Sequence, residues 1–478
     1  MRRIKVSTRN HRVAVAAALL LSSVPLLANA WFPIRRIDVR PDGLPISSGQ
    51  LSAPSFSADG RWLVFSSDSS ELVANDGNNV GDVFVMDTSN GVVTRPLRRV
   101  DGSETASATV YPVISTSGRF IAFLSGDSQL VTGDSNGRGD IFVLDRDVDG
   151  DAIFDEAGQT SIQRASVDAA GGQLIPGVDN VKPAISADGS QVAFATLALI
   201  DPTDDNSEVD VYLRDLTAGT TVLVSASSAG VVGDAPSPGF FASPLRMDNA
   251  GRFVAFASEA ENLVGDDDNN RDDVFVRDRD TDEDQLFDED GDVAVFRASV
   301  GPAGAQADRD SRDFDISGDG DWLVFSQSNS LLLPDDNPGN DIYIHHLPTG
   351  TITVADISAS PVGKTEGGNQ YPLTSADGKV TIFQSSQNYT FEVGGSTTIT
   401  GRSDALAWVI DEMDMASLQR ITDYPVPADR YDGWSASPLA LSDNGRYIVL
   451  STRDSEPGSQ QRWELVDRLT IFRGGFDP

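Results

Sequence analysis

The stretch Ser57–Phe65 reads SADGRWLVF, and six others share its pattern: STSGRFIAF at Ser115–Phe123, SADGSQVAF at Ser186–Phe194, DNAGRFVAF at Asp248–Phe256, SGDGDWLVF at Ser317–Phe325, SADGKVTIF at Ser375–Phe383 and SDNGRYIVL at Ser442–Leu450. Each is a polar turn ending in glycine, followed at once by an apolar run. Asp-Gly, Ser-Gly, Ala-Gly and Asn-Gly supply the positive-φ residue that a tight hairpin needs. The glycines run from Gly60 to Gly445, a mean spacing of about 64 residues, and self-similarity at a fixed period marks a repeated supersecondary unit.

Working outward, Trp62–Phe65 shows no polar alternation, as expected of a strand covered on both faces. A further strand follows each hairpin: Asp82–Asp87, Asp140–Asp145, Asp210–Asp215, Asp273–Asp278, Asp341–His346 and Ala405–Asp411. Another follows that, such as Ser161–Ser166 or Thr351–Asp356, and one more precedes the next turn. Four strands per repeat make one blade of a β-propeller, whose stacked sheets bury both faces. The fold class is therefore all-β, a seven-bladed β-propeller. Ile34–Arg40 reads as a fourth strand with no blade before it, and the last repeat ends with a strand within Trp463–Phe472. The N-terminal strand is thus expected to complete the last blade and close the ring, which removes a sheet edge.

The Ser-x-Asp-Gly-Arg hairpin followed by Asp-apolar-(Phe/Tyr)-apolar resembles the WD-like repeat of TolB-type propellers, over almost the whole chain. That resemblance implies an exported bacterial propeller. Such blades serve as periplasmic adaptors, secreted binding proteins, peptidase accessory domains and sugar lyases. A TolB protein pairs six blades with an extra N-terminal domain, whereas seven repeats fill this chain.

Arg2, Arg3, Lys5, Arg9 and Arg12 precede an apolar run, Val13–Leu27, and Ala28-Asn29-Ala30 supplies small residues for cleavage. Residues 1–30 read as a signal peptide cut near Ala30, with the propeller over 31–478. The apolar run is short of the ~20 residues of a membrane span. Cysteine is absent, which excludes disulfides, thiolate metal sites and a cysteine nucleophile. The chain carries 36 basic and 72 acidic residues; such a surface repels nucleic acid and anionic lipid and attracts cations.

The loop Asp145–Glu156, DRDVDGDAIFDE, places Asp145, Asp147, Asp149, Gly150, Asp151 and Glu156 at positions 1, 3, 5, 6, 7 and 12 of an EF-hand-like calcium loop. It departs at position 8, where Ala152 stands and the large apolar residue, Ile153, comes one later. Asp278–Glu289, DRDTDEDQLFDE, repeats the spacing with Asp278, Asp280, Asp282, Asp284 and Glu289, while Glu283 replaces the glycine. The expected cofactor is structural calcium; a solvated acidic insertion is the competing reading. Both insertions, near 145–158 and 278–291, should lie on the face of the glycine hairpins, in the second and fourth blades. Asp-x-Asn-x-x-x-Asp recurs at Asp76/Asn78/Asp82, Asp134/Asn136/Asp140, Asp204/Asn206/Asp210, Asp267/Asn269/Asp273 and Asp335/Asn337/Asp341. Self-closing Asx turns explain it; shallow cation sites on the opposite face are the alternative.

Catalytic signals are few. His345 and His346 are adjacent on a strand, point to opposite sides, and read as surface residues. No Gly-x-Ser-x-Gly elbow occurs. Trp62, Trp322, Phe65 and Phe325 read as packing; Tyr424, Tyr431 and Trp434 form a candidate binding loop. The expected function is a periplasmic or secreted binding or scaffold protein, a monomer with a protein or carbohydrate ligand on a propeller face. The alternative is a carbohydrate-active enzyme, a glycoside hydrolase or lyase, using carboxylates in the axial funnel.

Overall fold

The computed structural model describes residues 35–468, apart from 179–181, 239–242, 302–303, 308, 312, 328–338, 356–367, 387–389, 394–395, 400–403, 411–415, 422–434 and 454–460. Residues 1–30, expected to be a signal peptide, and the cluster of Tyr424, Tyr431 and Trp434 lie outside the described residues. The described residues form seven four-stranded antiparallel sheets, five of them meanders of four consecutive strands. Blade 1 is typical: Leu51–Phe56, Trp62–Ser67, Asp82–Asp87 and Val92–Thr94. Blade 6 carries an extra hairpin, Thr390–Val393 with Ser396–Ile399, between its second and third strands. The chain is a seven-bladed β-propeller.

Blade 7 takes Ser435–Leu441, Tyr447–Arg453 and Arg462–Asp467 from one end of the chain and Arg35–Arg36 from the other, with Arg35 opposite Leu465 and Arg36 opposite Glu464. The ring closes as expected, through a shorter strand than Ile34–Arg40. The chain bends away after Arg36, whose guanidinium grips Asp38 at 2.6 and 2.7 Å. Ile37 is fully buried and its N–H reaches the Trp463 carbonyl at 2.9 Å.

The recurring turn residues have separate roles. In blade 1 the Gly60 N–H closes on the Ser57 carbonyl. Ser57 Oγ accepts the Trp62 N–H at 3.0 Å and donates to Asp59 Oδ1 at 2.7 Å, and that oxygen also takes the Arg61 N–H. Glycine is required twice over. Gly60 has φ +73°, and a Cβ there would lie 2.1 Å from Tyr447 of blade 7. The pattern runs round the ring: Trp62 covers Gly118, Phe120 covers Gly189, Gln191 covers Gly251, Phe253 covers Gly320, Trp322 covers Gly378, and Val380 covers Gly445. The residue that opens each second strand therefore seals the turn of the next blade.

A ring of hydrogen bonds joins the same turns. Ala58 N–H donates to Thr116 O, Thr116 Oγ1 to Ala187 O, Ala187 N–H to Asn249 O and Asn249 N–H to Gly318 O. Asp319 N–H to Ala376 O, Ala376 N–H to Asp443 O and Asn444 N–H to Ala58 O complete the circuit. Within five blades the second-strand phenylalanine stacks on a third-strand ring, as Phe65 does on Phe84 and Phe325 on Tyr343. Second strands such as Trp62–Ser67 are buried at all but the first residue, as the unbroken apolar run predicts.

Candidate metal loops and the carboxylate networks

The two acidic insertions join third to fourth strands: Asp140–Asp145 to Ser161–Arg164 in blade 2, and Asp273–Asp278 to Ala294–Arg297 in blade 4. In a meander that places them beside the glycine turns, and the contacts agree. Arg146, fully buried, donates to Gly118 O at 2.6 Å, stacks between Trp62 and Phe154, and binds Asp155 through Nε and Nη2. Arg279 repeats this with Gly251 O, Phe287 and Asp288.

Asp145 and Asp278, the first positions of the calcium-like spacing, belong to the blade frame. Arg119 grips Asp145 with Nε and Nη2 at 2.7 and 2.8 Å, and Arg252 grips Asp278 at 2.8 and 2.9 Å. Each arginine also lies over the next aromatic ring. Blades without an acidic insertion use the same pair: Arg61 with Asp87 and Arg446 with Asp467. Burial pushes the Asp145 carboxyl up, but bonds from Arg119 and the Asp147 N–H outweigh it and hold the group below the ordinary carboxylate range.

The remaining carboxylates converge. Oxygens of Asp147, Asp149 and Asp151 lie within 4.8 Å of one another, as do those of Asp280, Asp282 and Asp284. Asp147 is buried, and its oxygens also accept the N–H groups of Gly150, Asp151 and Ala152. Asp280 accepts those of Asp284 and Gln285. The two loops share one conformation: positive φ occurs at Gly150, Ala152 and Asp155, and at the corresponding Glu283, Gln285 and Asp288. Glu283 thus makes the sharp turn without glycine, at φ 64°, with its carboxylate on Arg252 at 3.2 Å. Glu156 and Asp149 sit above the ordinary carboxylate range through partial desolvation and then the charges of neighbouring aspartates; Glu289 and Asp282 do the same. All donors are carboxylate oxygens, a set that suits calcium or magnesium better than a softer metal.

On the opposite face the Asp-x-Asn motif builds Asx turns. Asn78 Oδ1 takes the Val80 N–H while its Nδ2 donates to Asp82, and Asn136, Asn206 and Asn269 act likewise on Asp140, Asp210 and Asp273. Arginines from the fourth-strand side sit among these carboxylates: Arg95 in blade 1, Arg164 in blade 2, Arg297 in blade 4. Sequence reading missed them, although each holds the same place in its repeat.

His345 corrects an expectation. It is 6% exposed, with Nδ1 2.9 Å from the Ala298 carbonyl, and burial lowers its pKa. In a propeller the neighbouring blade covers the second face of the strand, so opposite directions do not mean surface. His346, less buried, lies against Trp322 at 4.3 Å.

First strands of blades 4–7 enclose a cavity of about 360 Å³, lined by Pro244, Arg246, Asp313, Phe314, Tyr371 and Ser437 among others. Arg246 binds Asp315 at 2.7 Å. Burial holds Asp313 above the ordinary carboxylate range. Burial and the Arg246 charge bring the Lys182 ammonium down to about 7.

No family model and no curated protein matches the chain. Among solved structures, TolB from Acinetobacter baumannii is similar at 11% identity over 88% of this chain, with a TM-score of 0.35. The chain resembles TolB-type propellers. It spans 64% of that TolB's length. An oligogalacturonate lyase in complex with manganese is similar at 13% identity over 90% of this chain and 92% of its own, TM-score 0.48. The β-propeller domain of the Trilobed protease from Pyrococcus furiosus is similar at 10% identity over 88% and 96%, TM-score 0.45. The fold rests on the chain's own seven sheets. Among the described residues no helix is long and apolar enough to cross a membrane.

Proposed function

We propose that this chain is an exported binding or scaffold propeller, periplasmic or secreted after cleavage near Ala30, with calcium held as a structural cofactor in its two acidic loops. The observation that carries the calcium reading is the duplicated loop: two insertions in different blades share three left-handed positions and the same triad of converging carboxylates. Asp147, Asp149, Asp151 and Glu156 are the ligands of the first loop, and Asp280, Asp282, Asp284 and Glu289 those of the second. Asp145 and Asp278 act beneath them by fixing the loop entry. Calcium would supply the positive charge that these crowded carboxylates lack. The rigid ring then presents variable loops to a protein or carbohydrate partner, and a monomer with net charge −36 does not attract nucleic acid.

The test is calcium titration of the full chain followed by thermal unfolding. Extracellular calcium modules bind at about 10⁻⁴–10⁻³ M, so millimolar calcium should raise the melting temperature and EDTA should reverse the rise. Asp149→Asn with Asp282→Asn should shrink the shift, and a shift of unchanged size in that variant would remove the loops from the calcium reading.

A second reading, a carbohydrate-active enzyme, draws support from the axial cavity, where Asp313 lies among apolar residues beside Arg246. Turnover of a polysaccharide panel, lost in Asp313→Asn with folding retained, would favour it.

A further inference from the structure

Blade 3 departs from its neighbours in the network opposite the acidic loops. In blades 2 and 4 the residue facing the third-strand phenylalanine is arginine, Arg164 opposite Phe142 and Arg297 opposite Phe275. In blade 1 Arg95 holds that place, one step beyond the Val85–Thr94 pair. In blade 3 the place belongs to Leu223, opposite Tyr212. Arg95 shows what the guanidinium does, because its Nη1 alone reaches Asp76 at 2.7 Å and Asp82 at 2.9 Å.

Blade 3 keeps both carboxylates without that cation. Asp204 is 4% exposed and Asp210 0%. Asp210 takes hydrogen bonds from Ser225 Oγ at 2.6 Å and Asn206 Nδ2 at 3.2 Å. Tyr212 donates its hydroxyl to Asp204 Oδ2. Asp204 Oδ1 is buried with no hydrogen-bond partner. These donors are neutral, and Glu208 adds a further negative charge nearby. Blade 5 repeats the exchange as Tyr343 opposite Val354, but its Asp335 and Asn337 lie outside the described residues.

We propose that blade 3 binds a divalent, oxygen-seeking cation of the calcium class between Asp204 and Asp210, at the place where its neighbours put an arginine side chain. Two buried carboxylates need a counter-charge, since burying an unpaired ion is strongly unfavourable, and hydroxyl and amide donors supply none. The orphaned Asp204 Oδ1 is the oxygen left to ligate it. Carboxylate oxygens, with no imidazole or thiolate nearby, select a hard cation. A shared proton is the rival solution. The two solutions part experimentally, because a proton on the pair leaves no charge for calcium to balance.

The experiment uses the full chain carrying Asp149→Asn and Asp282→Asn to weaken the acidic loops, with Ca²⁺ alone as probe, at pH 8. The melting temperature should still rise with calcium and saturate. Adding Leu223→Arg should abolish that rise and leave the chain in EDTA melting no lower than its parent. Should the buried arginine prevent folding, Asp204→Asn is the second variant, expected to weaken calcium at least tenfold while raising the melting temperature in EDTA. No calcium response in the parent, or an equal response after Leu223→Arg or Asp204→Asn, overturns the proposal. So does a parent that gains stability from pH 8 to 6 in EDTA yet ignores calcium, which would assign the pair a proton.

Discussion

At Gly118 the backbone is left-handed, φ +80°, and Trp62 of the preceding blade would lie 2.3 Å from any Cβ. Gly102 has the same φ with nothing within 4 Å. Gly102→Ala should therefore cost about 1 kcal/mol, the backbone term alone. Gly118→Ala should cost about 3 kcal/mol or more, because overpacking against Trp62 adds to it. Denaturant midpoints of the two variants compare them, and equal losses would show that blade contact does not enforce the glycine. The glycine turns were readable in the sequence because a positive φ leaves a compositional mark. The pairing of Asp145 with Arg119 was harder to read, since an aspartate that begins an acidic run draws attention as a first ligand. The clue lay in the other repeats: Asp87 and Asp467 end the same strand, and Arg61 and Arg446 follow the same glycine. His345 was misread because strand alternation gives direction and not what covers that direction.

Among elements, the short closing strand carries more than its length suggests. Ile37 packs with Phe65, Phe84, Trp463 and Leu465, residues of blades 1 and 7, so it ties the last blade to the first as well as pairing beside it. Ile37→Ala should cost about 2–5 kcal/mol by cavity formation. Arg36→Ala, which leaves the buried Asp38 without its partly exposed partner, should cost about 1–2 kcal/mol, because water can reach the vacated side. Urea unfolding of both variants tests the ranking, and an isoleucine loss no larger than the arginine loss would mean the ring is held elsewhere. The existence of this strand was legible, because seven hairpins left one unpartnered run. Its end was not, since the Arg36–Asp38 bond and the bridge of Val39 to Pro45 turn the chain by local contacts that carry no period. The acidic loops show the same division: their register was visible, but the left-handed bend at Glu283, whose carboxylate meets Arg252 31 residues away, has no glycine to announce it.

For the whole molecule, blade number followed from counting repeats, but the charge balance depends on which carboxylates the blades bury. Burial is the leading cause that lifts Asp140, Asp248 and Asp267 to about 6 and Asp210 to about 7, against about 3.9 in an unfolded chain. A carboxyl raised on folding contributes stability below its unfolded pKa and loses it as pH climbs through the folded value. These four groups therefore weaken the fold as pH rises from about 4 to 7, most steeply near 5, where the folded state still holds protons that the unfolded chain has lost. Asp87, Asp127 and Asp145 run the other way. Burial raises each, but hydrogen bonds and an arginine outweigh it and hold the carboxyl below its ordinary value. Their contribution is present above about pH 4 and is lost as pH falls. The repulsion of a chain with net charge −36 adds to the loss at high pH and is screened by salt. In EDTA the melting temperature should peak near pH 4, fall toward pH 7 with its steepest part near 5, and fall again below pH 4. Moderate salt should flatten the exposed-charge share of the decline and leave the step between about pH 4 and 7, because buried groups are screened less. A melting temperature that stays level from pH 5 to 8 at low salt would mean that the buried carboxylates are neutralised in some other way.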